Sequence, residues 1–500
     1  MREVDQYTSQ TLGIPEIILM EHAALAIQNA LKERFGNDLK STKGIILAGP
    51  GNNGGDALAL ARILFQSGVE SFFTILAVEE NENSKLSISC RAQLATLGKL
   101  HVPYARKLDE KLLQASDWIV DGLFGTGLRR ELSVYHQEMI ETVNRYAFKK
   151  WIVSIDIPSG LSVDKAIALP IAVQASHTVS LGFLKKGLVT GQGVDYTGHL
   201  TLSPIQISRQ IPFPVSAFLY NHHDAEKLPS RFPSAHKGSF GHVLVCASEK
   251  NKEGACLLSA LGAFKSGCGL VTLVGSETQL ETLRMRAPIE FMTAHFDEDL
   301  LKKHQKDVWV IGPGLGLEKS AWNFLKTLLQ SKSRLILDAD ALTLLAQNKK
   351  ESIALLKSRK GIFTLMTPHP REAARLLENE EPIATQNRYD TVREISDTYH
   401  VSALLKGKGT LIARVGEPIL CVKAGDTGLA KGGSGDLLSG VLASLLAQNI
   451  PEASAIPLGV YLHGRASELL SEKYGTERAS LASDISEMLA LAFKELESPR

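Results

Sequence analysis

The chain has no hydrophobic run long enough to cross a bilayer, no C-x-x-C pair among its five cysteines, few aromatics at 6%, and no excess of either charge. Each absence removes a class of function. A membrane-spanning helix needs about 20 consecutive apolar residues, and the opening MREVDQYTSQ leads into no signal-length apolar stretch, so a soluble cytoplasmic protein with no membrane partner is expected. Lys and Arg number 55 against 54 for Asp and Glu, so no net field recruits nucleic acid and no such partner is expected. Cys90, Cys246, Cys256, Cys268 and Cys421 fall mostly inside apolar segments, which reads as reduced core thiols rather than a disulfide framework.

What is present is apolar content, 44% of 500 residues, enough to bury more than one core and to form two or three domains. The short runs GIILAG, FFTILAV, WIVDGLFG and WIVSIDIP alternate with amphipathic stretches, the grammar of βαβ units. Between residues 204 and 238 prolines interrupt the pattern, which places a domain boundary there and predicts domains 1–215 and 216–500. The alternation resumes with HVLVCA, GLVTLVG, VWVIGPG, RLILDAD, GIFTLMTP and SALLKGKGTLIAR, then a long apolar helix in LLSGVLASLLAQ. Both halves are predicted to be α/β.

Ligands of open α/β sheets bind beyond the carboxyl ends of strands, so the residues after each apolar run carry the chemistry. Gly49, Gly51 and Gly54 in GPGNNGGDALALAR have the G-x-G-x-x-G spacing of a dinucleotide turn. Asp56, placed in the first turn of the following helix, would repel a phosphate there, while Asn52, Asn53 and Asp56 offer oxygens to a cation or to ribose hydroxyls. The alternative is a tight turn with Asp56 as its cap. Asp121 precedes the turn GLFGTGL and Asp156 precedes IPSGL. One such aspartate reads as a turn cap; together, Asn53, Asp121 and Ser159 are oxygen donors suited to a hard monovalent cation, with Asp156 as acid or base.

In the second half, AGDTGLAKGGSGDLLSGVLASLL carries Gly432, Gly433 and Gly435 at a helix start, where open backbone amides and the helix dipole favour an anion. Asp436 beside them can take a proton from a hydroxyl attacking a phosphoryl group, or can cap the helix. KGKGT and GPGLG are further glycine turns, HKGSFGH with Lys237 opens the domain, and TPHPRE holds His369 between two prolines, away from any helix interior. No G-x-x-x-x-G-K-[ST] occurs, so a P-loop is excluded. His222, His223 and Asp224 lack a matching ligand set for a metal.

GNNGGD, DGLFGTGL and SIDIPSG, in this order, resemble the YjeF N-terminal epimerase domain of the NAD(P)H-hydrate repair enzymes. The segments of the second half resemble the ribokinase-like, ADP-dependent dehydratase domain of the same family. The resemblance implies a Rossmann-like fold followed by a ribokinase-like one. It implies substrates NADHX and NADPHX, hydrated at carbon 6, whose R and S forms the first half interconverts. The second half would phosphorylate the carbon 6 hydroxyl of the S form with ADP or ATP and then eliminate phosphate. It further implies K+ at Asn53, Asp121 and Ser159, Mg2+ with the nucleotide, and a homo-oligomer. Asp156 and Asp436 would be the reacting groups. Substrate would meet Asn52, Asn53, Gly54, Gly55, Asp56, Gly125, Thr126, Gly127, Leu128 and Arg129 in the first half, and Ala255, Gly316 and His369 in the second. Lys406, Gly407, Lys408, Gly409, Thr410 and Gly435 would hold the nucleotide. The chain departs from the pattern at Ala57, where a glycine is usual, at Arg129, where some relatives carry lysine, in SEKNKEGA, and at Arg371. The competing reading is a ribokinase-like small-molecule kinase fused to a nucleotide-binding module.

Overall fold

In the computed structural model, which describes residues 2–78, 86–208, 210–225, 228, 231–381 and 387–497, the chain divides into two compact units, Met1–Pro214 and Val215–Arg500. Parts of the proline-bearing stretch 204–238, residues 209, 226–227 and 229–230, lie outside the described residues.

The first unit holds a seven-stranded sheet in the order Tyr104–Ala105, Phe72–Leu76, Gly44–Ala48, Trp118–Gly122, Trp151–Ile155, His177–Leu181 and His199–Ser203. All neighbours run parallel. Every residue of Gly44–Ala48, Trp118–Gly122 and His177–Leu181 is buried, as expected where helices cover both faces of a parallel sheet. The strand order reverses between Gly44–Ala48 and Trp118–Gly122, which pair Leu47 with Asp121 and Ala48 with Gly122. A crevice forms at such a switch point, and two of the three sequence motifs leave the sheet there.

The second unit has a ten-stranded sheet, in which Met292–His295, Leu270–Gly275 and His242–Cys246 lie on one side of a reversal. Val308–Ile311, Arg334–Leu337, Thr364–Met366 and Ser402–Leu405 follow on the other, all parallel. The segment SALLKGKGTLIAR is two strands, Ser402–Leu405 and Thr410–Ala413, joined as an antiparallel hairpin. The outermost strand, Ala217–Tyr220, comes from within the stretch read as linker and pairs in parallel with Ile419–Val422. Its four residues AFLY sit between prolines and polar residues, too short a run to register as a strand.

The helices Glu253–Lys265 and Ser434–Ala447 meet closely, because a Cβ on Gly440 would lie 1.8 Å from the Ser259 carbonyl oxygen. Both begin at the carboxyl ends of the strands, which brings Ala255 and Asp436 to one place. Among the described residues no helix is long and apolar enough to cross a membrane.

Candidate functional site

In the first unit the turn after Ala48 is built by backbone proximity. A Cβ on Gly49 would lie 1.8 Å from the Leu123 carbonyl oxygen, and one on Gly54 would lie 1.8 Å from that of Gly49. Ala57 is fully buried, and a Cβ on Gly122 would approach its methyl to 2.6 Å, so the two positions share room for one methyl. The helix Asn52–Gln66 has Gly51 as its N-cap and no acidic residue in its first turn. This corrects the placement of Asp56, which lies past the first turn, buried, and caps nothing.

Asp121 differs from a turn aspartate as well. It is a fully buried strand residue whose carboxylate accepts from Ser154 Oγ at 2.8 Å, Ser159 N at 2.8 Å, Ser159 Oγ at 2.5 Å and Leu123 N at 3.3 Å. Ser159 Oγ in turn accepts from the Phe124 amide at 2.8 Å. Asn53 sits alongside, with Oδ1 3.3 Å from where a Gly125 Cβ would be, and its Nδ2 is buried without a partner. Burial raises the Asp121 pKa against these four hydrogen bonds, and no lysine or arginine among the described residues pairs with it. A buried carboxylate with no cationic partner, the Asn53 amide oxygen and the Ser159 hydroxyl form an oxygen-rich set that fits a monovalent cation.

Asp156 follows the strand Trp151–Ile155 with φ of +68°, a left-handed conformation that aspartate tolerates better than most residues. Its Oδ1 accepts from the Leu181 amide at 3.0 Å and pairs with Lys185 Nζ. The Lys185 side chain is 1% exposed and also donates to the Leu181 carbonyl at 2.6 Å and to Ser180 Oγ at 3.3 Å. Two more carboxyls interact with this pair. Burial, reinforced by Asp156 and Asp5, pushes the Asp56 pKa well above the ordinary aspartate value. Asp5, from the helix Arg2–Gln6, is pushed up to about 6, mainly by burial. Sequence reading missed Lys185 and Asp5, since neither follows a glycine turn. Thr126, Gly127 and Leu128 lie in the turn after Gly125, and Arg129 is an exposed surface arginine 3.4 Å from Asp164.

The second unit gathers its polar groups at the strand ends. A cavity of about 420 Å³ is lined by Asn251, Lys252, Gly254, Ala255, Gly314, Asp340 and Asp436. SEKNKEGA supplies Lys252, whose Nζ lies 3.2 Å from Asp340 Oδ2 and 3.3 Å from Glu249 Oε2. Asp340 Oδ2 also accepts from the Gly316 amide at 2.9 Å, in a turn where Gly312, Gly314 and Gly316 all have positive φ. Asp338, 1% exposed, accepts from Lys406 Nζ at 2.7 Å, Ser439 Oγ at 2.7 Å and the Ala339 amide at 2.9 Å. Asp338 and Asp340 stand in the segment RLILDAD, and reading the residues just past that strand would have found both.

The helix bearing Asp436 starts at Ser434, with Gly433 as N-cap at φ of +92° and no side-chain cap. Asp436 is its third residue, so the capping alternative does not hold. Burial, then the nearby Asp338, raises Asp436 to about 7. Lys406 Nζ would lie 3.1 Å from a Cβ on Gly435, and Ser434 Oγ and His463 Nε2 are buried without partners. Open amides, a half-buried ammonium and orphaned polar atoms at one helix start fit a phosphoryl group. Burial opposes the charge of Lys406, but Asp338 and Glu372 outweigh it and hold its pKa up.

The hairpin turn from Lys406 to Thr410 is pinned by Arg388, which donates to the carbonyls of Lys406 at 3.3 Å and Gly409 at 3.3 Å. Lys408 Nζ donates to Gly425 O at 2.5 Å, and Thr410 Oγ1 to Gly407 O at 3.0 Å. His369 is the N-cap of the helix Pro370–Leu377, its Nδ1 accepting from the amides of Arg371 at 3.0 Å and Glu372 at 3.3 Å. That fixes the remaining proton on Nε2, and burial together with Lys406 lowers its pKa to about 4. Arg371 is exposed in the first turn of that helix. His222 accepts or donates to the Tyr461 hydroxyl at 2.8 Å and Asp224 closes a capping box with Asn221, so these residues are structural.

Residues 243–490 match the NAD(P)H-hydrate dehydratase family and residues 16–187 match the YjeF-related protein N-terminus. The chain is 32% identical to the bifunctional NAD(P)H-hydrate repair enzyme of Coxiella burnetii, over 97% of this chain and 96% of that one. It is 31% identical to the enzyme of the same description from Moorella thermoacetica, over 99% and 96%. A third such relative, from Escherichia coli, is 30% identical over 97% of this chain and 91% of that one.

Proposed function

The chain belongs to the bifunctional NAD(P)H-hydrate repair enzymes, and from that premise we propose that residues 1–215 epimerise R- and S-NAD(P)HX while residues 216–500 dehydrate the S form with an adenine nucleotide. The observation that carries the second assignment is Asp436, a base raised to about 7 at the mouth of an anion cradle beside Lys406. Asp436 takes the proton of the carbon 6 hydroxyl as that oxygen attacks the terminal phosphoryl group of ADP or ATP, and the bond to the bridging oxygen breaks to release AMP or ADP. Lys406 and the amides of the helix start hold the transferring phosphoryl charge, which they meet without reorganising. Phosphate, a far better leaving group than hydroxide, then departs with its electron pair from carbon 6, and loss of a carbon 5 proton restores NADH or NADPH. Gly407, Lys408, Gly409, Thr410 and Gly435 contact the nucleotide, with Mg2+ on its phosphates, and Ala255, Gly316 and His369 contact the hydrated cofactor.

In the first unit Asn52, Asn53, Gly54, Gly55, Asp56 and the turn from Gly125 to Arg129 face the substrate. Carbon 6 of the hydrate carries both a hydroxyl and the ring nitrogen. Asp156 removes the hydroxyl proton while Asp56, whose protonated form burial favours, gives a proton to the nitrogen as the carbon–nitrogen bond opens. Rotation and the reverse transfers close the other epimer. Asn53, Asp121 and Ser159 would hold K+, whose charge compensates the buried Asp121 carboxylate. The five buried free thiols support a reducing, cytoplasmic setting. Exposed Leu12 and, on the helix Glu16–Phe35, exposed Ile17, Ile18 and Leu25 support a homo-oligomer.

The test is to give the protein mixed R- and S-NADHX with and without ADP and to follow NADH absorbance. Recovery should need ADP and should consume both epimers. A stable phosphorylated product with no NADH would establish the kinase reading instead.

A further inference from the structure

At the amino ends of the second sheet, opposite the strand ends that carry the dehydratase residues, two imidazoles and a carboxylate converge. His242 opens the strand His242–Cys246, Asp307 immediately precedes the neighbouring strand Val308–Ile311, and His304 closes the helix Glu298–Lys303. One potential ligand atom from each residue lies within 4.8 Å of the others. His304 Nδ1 is 2.7 Å from Asp307 Oδ2, and His242 Nδ1 faces the same oxygen at 3.9 Å, too far for a hydrogen bond. The rings stand edge to face with centroids 4.9 Å apart.

A hydrogen bond accounts for the His304–Asp307 half of this cluster. It does not account for His242, which is aimed at the carboxylate with a gap left between them. Its other nitrogen, Nε2, is held at 2.7 Å by Thr272 Oγ1 on the adjacent strand Leu270–Gly275. Metal-ligating histidines are oriented by such a bond on the second nitrogen. The nearby guanidinium of Arg334 is spent on the carbonyls of Leu446 and Lys306, each at 2.9 Å, and among the described residues no lysine or arginine pairs with Asp307. Side-chain exposures of 12% for each histidine and 27% for Asp307 leave a path from solvent.

We propose that His242, His304 and Asp307 form a three-ligand site for a divalent transition metal of the zinc class, completed by water. The ion would bind both Nδ1 atoms and Asp307 Oδ2, displacing the His304–Asp307 hydrogen bond. Bonds of about 2.0–2.2 Å in a tetrahedral site set ligand atoms roughly 3.4 Å apart, so His304 and Asp307 would separate slightly while His242 moves in toward them, within side-chain freedom at these positions. The ion would tie the start of His242–Cys246 to the helix–strand corner before Val308. It takes no part in the dehydration, which occurs at the other end of the sheet.

The test uses the full chain, stripped with chelator and titrated with Co2+ alone and then with Zn2+. One Co2+ per chain should give the visible bands of a tetrahedral nitrogen and oxygen site, with no thiolate charge-transfer band, and Zn2+ should displace it. Asp307→Asn and His242→Asn should each weaken Co2+ binding more than Thr272→Val, which removes only the orienting bond and should cost about ten- to a hundredfold. Thermal midpoints without metal identify any variant that merely misfolds, and Thr272→Val, isosteric with the wild type, keeps the measurement decisive if the others do. Absence of Co2+ binding, or equal binding by wild type and Thr272→Val, would overturn the site and leave a hydrogen-bonded cluster.

Discussion

Asp436 and Asp156 are separated by what surrounds them more than by what they are. Asp436 needs to be unprotonated to work as a base, and its pKa is raised to about 7, chiefly by burial. The dehydration kcat/KM should therefore fall as pH drops through about 7 and level off above it, measured with S-NADHX and saturating ADP. Asp436→Asn should lose on the order of a hundred- to ten-thousandfold in NADH recovery and leave R and S interconversion intact. Asp156→Asn and Lys185→Met should do the reverse; a Lys185→Met protein with normal epimerisation would reduce the Lys185–Asp156 pair to a structural contact. The sequence singled out both aspartates because each stands beside a glycine turn after an apolar run. Lys185 was not, because its partner is 29 positions away and no local pattern marks a buried ion pair.

At the scale of elements, the sequence rules worked where backbone chemistry is local. Alternating apolar runs announced the parallel strands, and GGSGD announced a helix start, with its capping by Asp436 left open, because glycine and helix periodicity act over a few residues. They failed where long-range pairing decides: AFLY is a strand only because Ile419–Val422 offers it an edge, and the KGKGT turn became a hairpin only because Thr410–Ala413 returns alongside Ser402–Leu405. Asp56 was expected in its helix's first turn and lies just beyond it, which removes the capping alternative and leaves a buried acid. The helix start gives its own prediction. A methyl at position 435 would stand 3.1 Å from Lys406 Nζ, in the space assigned to the phosphoryl group. Gly435→Ala should raise the KM for ADP at least tenfold, with the melting temperature almost unchanged because alanine suits a helix better than glycine. An unaltered KM would place the nucleotide phosphates elsewhere.

For the whole molecule, the two sheets draw on separate lengths of chain, residues 44–203 and 217–422, and the apolar clusters divide in the same way. Among the described residues neither sheet borrows a strand from the other unit, so each half contains what it needs to bury its own core. Residues 1–214 and 215–500, expressed apart, should each be soluble, melt cooperatively and keep one activity. The chemistry then dictates what the pieces do with substrate. Given ADP and a mixture of epimers, the second fragment alone should convert the S form and slow sharply when it is exhausted. Adding the first fragment should restart NADH formation until the R form is consumed, with no need for the two to be joined, because a small-molecule epimer diffuses between them. If the second fragment converts both epimers at one rate, the dehydratase does not discriminate between them and the first unit must serve another purpose. If the fragments recover activity only when covalently linked, the halves are not independent folding units and the reading of two self-sufficient domains is wrong.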